Sequence, residues 1–123
     1  MKDNKLIAID LFCGCGGFSQ GFEQAGYRSV LGIDLWNDAT TTYKYNFPDS
    51  AVINEDIIKL SVDEIIKKAN VKKEDVDVII GGPPCQGFSI SGKRMIDAYR
   101  QIGNAIPPVM FWHIAKSIMP YLK

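Results

Sequence analysis

The chain has 123 residues, 46% of them hydrophobic, and its 14 Lys and Arg residues balance 14 Asp and Glu residues. This length suits one small globular domain, and a net charge of zero gives no support for the basic face of a duplex-binding domain. Three cysteines are too few for a secreted disulfide framework. No signal peptide is recognisable and no segment approaches the roughly 20 apolar residues of a membrane span. We therefore expect a cytoplasmic protein without a membrane partner.

The first element in chain order is a short apolar run, residues 6–11, which predicts a strand buried on both faces. The glycine-rich loop Cys13-Gly14-Cys15-Gly16-Gly17 follows, and then a helical pattern over residues 18–25 with Gly26 as its stop. Backbone N–H groups at such a loop and at the helix start face a ligand. Strand, glycine loop and helix together indicate the first half of a nucleotide-binding unit.

A second strand is predicted at residues 29–33, immediately before Asp34. This acid lies about 20 residues beyond Gly14, the offset at which a Rossmann-type fold directs a carboxylate to the ribose hydroxyls. Asn37 or Asp38 is predicted to cap a helix that runs to about Phe47, where Pro48 follows.

The remaining pattern continues the alternation of strands and helices. We predict strands at Ala51–Asn54 and Val76–Ile80, separated by a helix that a Ser61–Glu64 capping box opens. A last helix begins near Pro107-Pro108, and its apolar stripe is predicted to be Met110, Ile114 and Ile118. The fold class is therefore α/β, with a doubly wound, Rossmann-like and mostly parallel sheet in a single domain over residues 1–123.

The segment after the fourth strand carries the strongest chemical signal. Gly81-Gly82-Pro83-Pro84-Cys85 makes a stiff turn, because proline fixes the backbone and glycine permits a close approach. Open α/β sheets bind ligands at the carboxyl ends of their strands. Cys85 is therefore predicted to be a reactive thiol over a cleft. The alternative is a packing cysteine, because free cysteine is among the most buried residue types.

Residues 83–89, Pro-Pro-Cys-Gln-Gly-Phe-Ser, resemble the nucleophile motif of the cytosine-5 DNA methyltransferases. The resemblance implies covalent catalysis by Cys85 on a cytosine swung out of double-stranded DNA. It implies a methyl transfer from S-adenosylmethionine, with S-adenosylhomocysteine as product, in an enzyme of bacterial restriction-modification type. The residues that it assigns to the substrate base are Pro84, Gln86 and Ser89.

The glycine loop is similar to the S-adenosylmethionine loop of the same family. Ser19 stands where the dinucleotide fingerprint requires its last glycine, which disfavours a nicotinamide or flavin cofactor. By resemblance, Asp34 binds the ribose and Asp56 the adenine amino group, although Asp56 alone would be interpreted as a turn carboxylate. The full cofactor set that the resemblance implies is Phe12, Gly14, Gly16, Gly17, Asp34, Leu35, Trp36, Asp56, Ile57, Pro83, Asn104 and Ala105.

The family's acidic segment, Arg-containing segment and target-recognition domain have no counterpart here, which predicts a missing segment between residues 97 and 98. The fourth strand then lacks a neighbour, and its open edge invites a complementing chain or self-association. Alternatives are an RNA cytosine-5 methyltransferase and a non-catalytic, cofactor-binding subunit. A metal site from the three cysteines and His113 fits zinc spacing poorly, so no metal is expected.

Overall fold

The computed structural model describes residues 4–83 and 108–122. Its core is a four-stranded sheet in the order β3-β2-β1-β4, and every pair of neighbouring strands is parallel. This arrangement confirms the predicted α/β class. The strands are β1 Ile7–Asp10, β2 Arg28–Asp34, β3 Ala51–Asn54 and β4 Val76–Ile80, and the helices are α1 Gly17–Gln24, α2 Asn37–Asn46, α3 Val62–Ala69 and α4 Pro108–Ile118.

Helices cover both faces of the sheet, as a doubly wound fold requires. On one face Ala8 and Ile80 pack with Phe22 of α1 and Ala115 of α4. On the other face the core contains the β-strand residues Ile9, Leu31 and Ile33, with Ile65 and Ile66 of α3 packed against them. Ile65 and Ile66 therefore form the inward face of α3.

The strand register brings the carboxyl ends of three strands level with one another. Asp10, the last residue of β1, lies opposite Gly32 of β2 on one side and Ile80 of β4 on the other. The loops that leave these strands therefore start at one edge of the sheet.

Helix ends follow the sequence signals in two cases out of three. Ser61 accepts the N–H of Glu64 while the Glu64 carboxylate accepts the N–H of Ser61, which confirms the capping box. Gly26 follows α1 with a positive φ of 100°, as a stop signal should. The cap predicted for α2 is wrong: the helix begins at Asn37, its N-cap is Trp36, and the Trp36 side chain makes no capping hydrogen bond.

The face predicted for the last helix is right for Ile118 but wrong for Met110 and Ile114. Met110 and Ile114 are 50% and 42% exposed, whereas Phe111, Ala115 and Ile118 belong to the core against α1. The helix carries two apolar stripes, and the one with the aromatic residue is buried because it removes more apolar surface from water.

Strand β4 forms one edge of the sheet that the structure describes, with β1 as its neighbour. Ile79 on this strand is 63% exposed. The open edge predicted for the fourth strand is therefore found among the described residues. No helix in the described ranges has the length and apolarity needed to cross a membrane.

Candidate functional site

The glycine loop lies where the strand order of the sheet reverses, between β1 and β4. At its start the N–H of Leu11 donates to the carbonyl of Ile80 in β4 at 2.9 Å. Two residues later the N–H of Cys13 donates to the carbonyl of Ile33 in β2, also at 2.9 Å. The loop thus crosses the ends of the strands on both sides of β1, which is the ligand-binding position of doubly wound sheets.

Two glycines give this loop its shape. Gly14 and Gly16 have φ values of 53° and 106°, in the left-handed region that disfavours side chains. At Gly16 a Cβ atom would also overlap the ring of Phe47, which follows α2. Gly16 therefore satisfies both a backbone and a packing requirement, and α1 begins directly after it at Gly17.

The carboxylate of Asp34 holds the loop from the end of β2. Its Oδ2 accepts the N–H of Gly14 at 3.0 Å, and its Oδ1 accepts the N–H of Trp36 at 2.9 Å. The sequence predicts Asp34 at this position but does not reveal the bond to the loop. Each carboxylate oxygen can accept a second hydrogen bond, so the same group is able to bind a ligand hydroxyl as well.

Two asparagines support the site, and neither was singled out in the sequence. Asn46, the last residue of α2, donates from Nδ2 to the carbonyl of Cys15 at 3.1 Å. Asn54, the last residue of β3, donates from Nδ2 to the carbonyls of Asp34 and Leu35, at 3.1 and 2.9 Å. The available signal was their position at element ends, where asparagine side chains often bond to backbone groups.

The residues predicted to surround an adenine ring lie along the same edge. Leu35 is 69% exposed, and Trp36 and Ile57 are partly buried. Asp56 caps the short 3-10 helix Ile57–Lys59, because its Oδ1 accepts the N–H of Ile58 at 3.1 Å. This bond agrees with a turn carboxylate and leaves Oδ2 available to a ligand.

Beneath the loop lies a buried polar cluster that the sequence analysis missed. The Ser19 hydroxyl of α1 donates to Asp10 Oδ2 at 2.9 Å, and the Tyr43 hydroxyl of α2 lies 2.9 Å from Ser19 Oγ. Gly32 of β2 leaves room for this tyrosine, since a Cβ there would come within 2.7 Å of its ring. The sequence did contain a signal for this cluster: Asp10 is an acidic residue at the end of the otherwise apolar strand β1.

The ionisation of Asp10 is perturbed by this setting. Burial raises its pKa to about 7, while the hydrogen bond from Ser19 opposes the shift and the nearby Asp34 carboxylate adds to it. Asp10 Oδ1 has no hydrogen-bond partner among the described residues. A buried carboxyl with a raised pKa beside a ligand loop is typical of functional sites.

Cys13 and Cys15 of the loop have no features of an activated thiol. Cys13 packs with Tyr43 and Phe47, and burial raises the pKa of its thiol. Burial also raises the pKa of the partly exposed Cys15 thiol. Both thiols are therefore protonated near neutral pH, so neither is suited to act as a nucleophile.

The turn after β4 starts against the glycine loop. A Cβ on Gly81 would lie 3.6 Å from Phe12 Cδ2, and one on Gly82 would lie 2.9 Å from Phe18 Cε2. Pro83 follows and is exposed. The other predicted site residues of this turn and of the later segment lie outside the described residues: Pro84, Cys85, Gln86, Ser89, Asn104 and Ala105.

The described part of the site favours a ligand with positive charge. Two carboxylates, Asp10 and Asp34, lie close enough for the charge of Asp34 to raise the pKa of Asp10, and the loop between them offers backbone N–H and C=O groups. The described ranges hold no group of three or more His, Cys, Asp or Glu side chains that could bind a metal ion.

Comparison with known proteins gives a consistent result. Residues 6–97 match the family model described as C-5 cytosine-specific DNA methylase. The chain is 56% identical to the type II methyltransferase M.DdeI of Desulfomicrobium norvegicum over 88 residues, which cover 70% of this chain and 20% of the relative. It is 40% identical to the type II methyltransferase M.AquIA of Picosynechococcus over an aligned length of 131 positions. The match covers 98% of this chain and 52% of the relative.

A solved structure agrees with the sequence relatives. The crystal structure of a DNA modification methyltransferase encoded within an E. coli prophage aligns with a TM-score of 0.62 and 36% identity, over 84% of this chain and 30% of that chain. The chain spans only about a fifth of the length of the first curated relatives it matches, between 20% and 23%.

Proposed function

Because this chain belongs to the C-5 cytosine-specific DNA methylase family, we propose that it is the cofactor-binding and nucleophile-bearing part of a DNA (cytosine-5)-methyltransferase. The observation that carries the proposal is the meeting of two loops at one edge of the sheet. The glycine loop leaves β1, the Gly81-Gly82-Pro83 turn leaves β4, and a Cβ added to Gly81 would lie 3.6 Å from Phe12 Cδ2.

The proposed cofactor is S-adenosylmethionine, which supplies an electrophilic methyl group on a sulfonium. The residues present fit a cation of this kind, because Asp10 and Asp34 are the charged groups at the loop and Asp10 Oδ1 is buried without a partner in the described ranges. Asp34 would accept ribose hydroxyls on the lone pairs that Gly14 and Trp36 leave free. The further contacts carried over from the family are those of Phe12, Gly14, Gly16, Gly17, Leu35, Trp36, Asp56, Ile57, Pro83, Asn104 and Ala105.

The proposed reaction begins at Cys85. Its thiolate adds to carbon 6 of cytosine, which makes carbon 5 nucleophilic enough to take the methyl group. Loss of the carbon 5 proton and departure of the thiolate then restore the aromatic ring. The base must leave the duplex to reach such a thiol, and Pro84, Gln86 and Ser89 are the residues we assign to it. The substrate is therefore double-stranded DNA, in the cytosol, in a restriction-modification system.

The proposed chain organisation is one catalytic domain with a segment missing between residues 97 and 98. The family match ends at residue 97, and the fourth strand has a free edge in the described sheet. We propose that a complementing chain, or a second copy of this chain, covers that edge. The chain by itself is then expected to bind the cofactor and to show little or no turnover.

Calorimetric titration with S-adenosylmethionine tests the cofactor site. We expect measurable binding that Asp34→Ala abolishes, because this change removes both the ribose acceptor and the bond to Gly14. Asp38→Ala is the matched control, since Asp38 is an exposed acid in the first turn of α2 and should leave binding unchanged. Absence of binding to the folded wild-type chain would reject the proposal.

A mechanism-based probe tests the nucleophile separately. The probe is an oligonucleotide containing 5-fluorocytosine, mixed with the wild-type chain and cofactor. A covalent adduct, visible as a mass increase and absent with Cys85→Ser, would show that this chain alone carries a working nucleophile. Fluorine at carbon 5 traps the adduct, because the final proton loss is blocked. Cofactor binding without an adduct would favour a non-catalytic subunit that needs a second chain.

A further inference from the structure

The buried cluster under the glycine loop is a directed chain of hydrogen bonds. Ser19 has one hydroxyl proton, and it donates that proton to Asp10 Oδ2. The Tyr43 hydroxyl, 2.9 Å from Ser19 Oγ, must therefore be the donor in the second bond. Tyr43 thus polarises Ser19, and Ser19 in turn supports the carboxylate form of Asp10, since hydrogen bonds in a chain strengthen one another.

The other oxygen of the same carboxyl group has weaker support. The backbone N–H groups of Phe12 and Ser19 lie near the carboxyl group and lower its pKa, but neither makes a hydrogen bond of normal geometry to Oδ1. Asp10 is completely buried, and its Oδ1 has no partner among the described residues. In the absence of ligand, we expect the proton of Asp10 on this oxygen, because burial disfavours a charged carboxylate more than a neutral carboxyl group. Among the described residues, the titratable groups that face Asp10 are Asp34 of β2, Cys13 of the loop and Tyr43 of α2, and none of these three contributes a positive charge.

We propose that binding of the cationic cofactor at the glycine loop displaces a proton from Asp10, and that Ser19 and Tyr43 are positioning residues that prepare this carboxyl for its ionised state. The inference rests on the proposed function. The positive ligand compensates the charge that burial disfavours. The O–H bond of the carboxyl breaks, its electron pair stays on the oxygen, and the proton passes to the solvent buffer.

The expected signature is a proton released on binding. The full chain is titrated with S-adenosylmethionine in a calorimeter near neutral pH, once in phosphate and once in Tris. Because the released proton is taken up by the buffer, the two binding enthalpies should differ. The difference should be a fraction of the difference between the ionisation enthalpies of the two buffers. Since the pKa of Asp10 in the free protein is about 7, the affinity should rise about tenfold between about pH 6 and about pH 8 and change little above that.

The α-amino group of the ligand titrates in the same range, so a protein variant must isolate the proton of Asp10. Asp10→Asn keeps the shape of the side chain but carries no carboxyl proton. The difference in proton release between wild type and Asp10→Asn therefore belongs to Asp10. We expect Asp10→Asn to release fewer protons on binding than wild type, because the proton of Asp10 is missing. Its affinity for S-adenosylmethionine should also lose most of its pH dependence.

The positioning role has its own readout. The Ser19 bond lowers the pKa of Asp10, so Ser19→Ala should move the midpoint of the affinity profile to higher pH. Tyr43→Phe should move it in the same direction by less, because the Ser19 bond is weakened and not removed. Tyr45→Phe is the matched control, since Tyr45 lies in the same helix and is 86% exposed. A purely structural role would lower the affinity equally at every pH.

The outcomes separate the two proposals. Absence of cofactor binding at any pH would reject the proposed function and this inference with it. Binding with the same proton release in wild type and Asp10→Asn would overturn the inference alone, as would a Tyr43→Phe profile that coincides with that of Tyr45→Phe. Should Asp10→Asn fail to fold, a carbon-13 NMR titration of the Asp10 carboxyl with and without ligand decides the same question, because an unchanged titration midpoint contradicts the inference.

Discussion

The backbone N–H of Gly14 and the carboxylate of Asp34 are joined by a 3.0 Å hydrogen bond across 20 residues of sequence. This bond fixes the middle of the glycine loop to the end of the neighbouring strand. Asp34 therefore has a structural role before any ligand arrives, and its loss affects both the loop and the proposed ribose contact.

The structural role of Asp34 can be measured without a cofactor. Asp34→Asn keeps the size of the side chain but replaces one of its two acceptor oxygens with a donor, so either Gly14 or Trp36 loses its bond. We expect the free energy of unfolding to fall by about 1–2 kcal/mol. Urea unfolding compares this variant with Asp38→Asn, which should differ little from wild type. Equal stability of the two variants would contradict the role assigned to the Gly14 bond.

The second prediction concerns the two glycines with positive φ that flank α1, Gly16 and Gly26. Gly16→Ala combines a φ of 106° with an overlap on the Phe47 ring, whereas Gly26→Ala has a similar φ of 100° and open space around it. Backbone strain alone should cost Gly26→Ala about 1–2 kcal/mol. Gly16→Ala should cost about 2–3 kcal/mol more, since the ring must move in a packed core. Thermal unfolding of both variants measures the difference in stability. Equal losses of stability would show that the Phe47 ring can move aside without cost.

The pH dependence of stability follows from Asp10. Its pKa is raised from 3.8 to about 7, so between these values the folded protein holds a proton that the unfolded chain has lost. The free energy of unfolding should therefore decrease as pH rises through this window, by on the order of 2–4 kcal/mol, and the loss is complete above about pH 7.

The check is a comparison of wild type and Asp10→Asn in urea at several pH values without cofactor. The free energy of unfolding of the variant should depend less on pH. Above neutral pH it should approach or exceed that of wild type. Burial also raises the pKa of Glu23, which predicts a residual slope of the same sign in Asp10→Asn. A wild-type profile that rises through this window would contradict the prediction.

The exposed edge strand gives a prediction about association. Ile79→Lys adds a charge on β4, and charged side chains protect free sheet edges from pairing. We expect less self-association in sedimentation experiments, with little change in stability, because Ile79 is already 63% exposed. Ile58→Lys is the control, since Ile58 is 87% exposed and lies outside the strands. Equal behaviour of the two variants would show that β4 is not the contact surface.

The sequence predicted the strands and the glycine loop well because their signals are local. Short apolar runs, the glycines of residues 13–17 and the Ser61–Glu64 box each depend on a few neighbouring residues. These patterns favour the same local structure whatever tertiary contacts form, so the folded chain retains it.

The missed features depend on contacts between distant residues. The pairing of Ser19 with Tyr43 joins two helices 24 positions apart, and nothing near either residue specifies it. The last helix has two apolar stripes, and only the partner surface on α1 decides that Phe111 faces inward. For α2, Asn37 and Asp38 both have capping side chains, but Trp36 takes the cap position because the Asp34 carboxylate fixes its N–H.

The packing of Phe18 on Phe111, with ring centroids 3.8 Å apart, ties the beginning of the chain to its last helix. Gly82 lies against the same Phe18 ring. Phe18, which follows the glycine loop, therefore contacts both the turn after β4 and the last helix. The side chains of α1 and α4 make this contact themselves, so it does not require a particular length of polypeptide between residues 83 and 108.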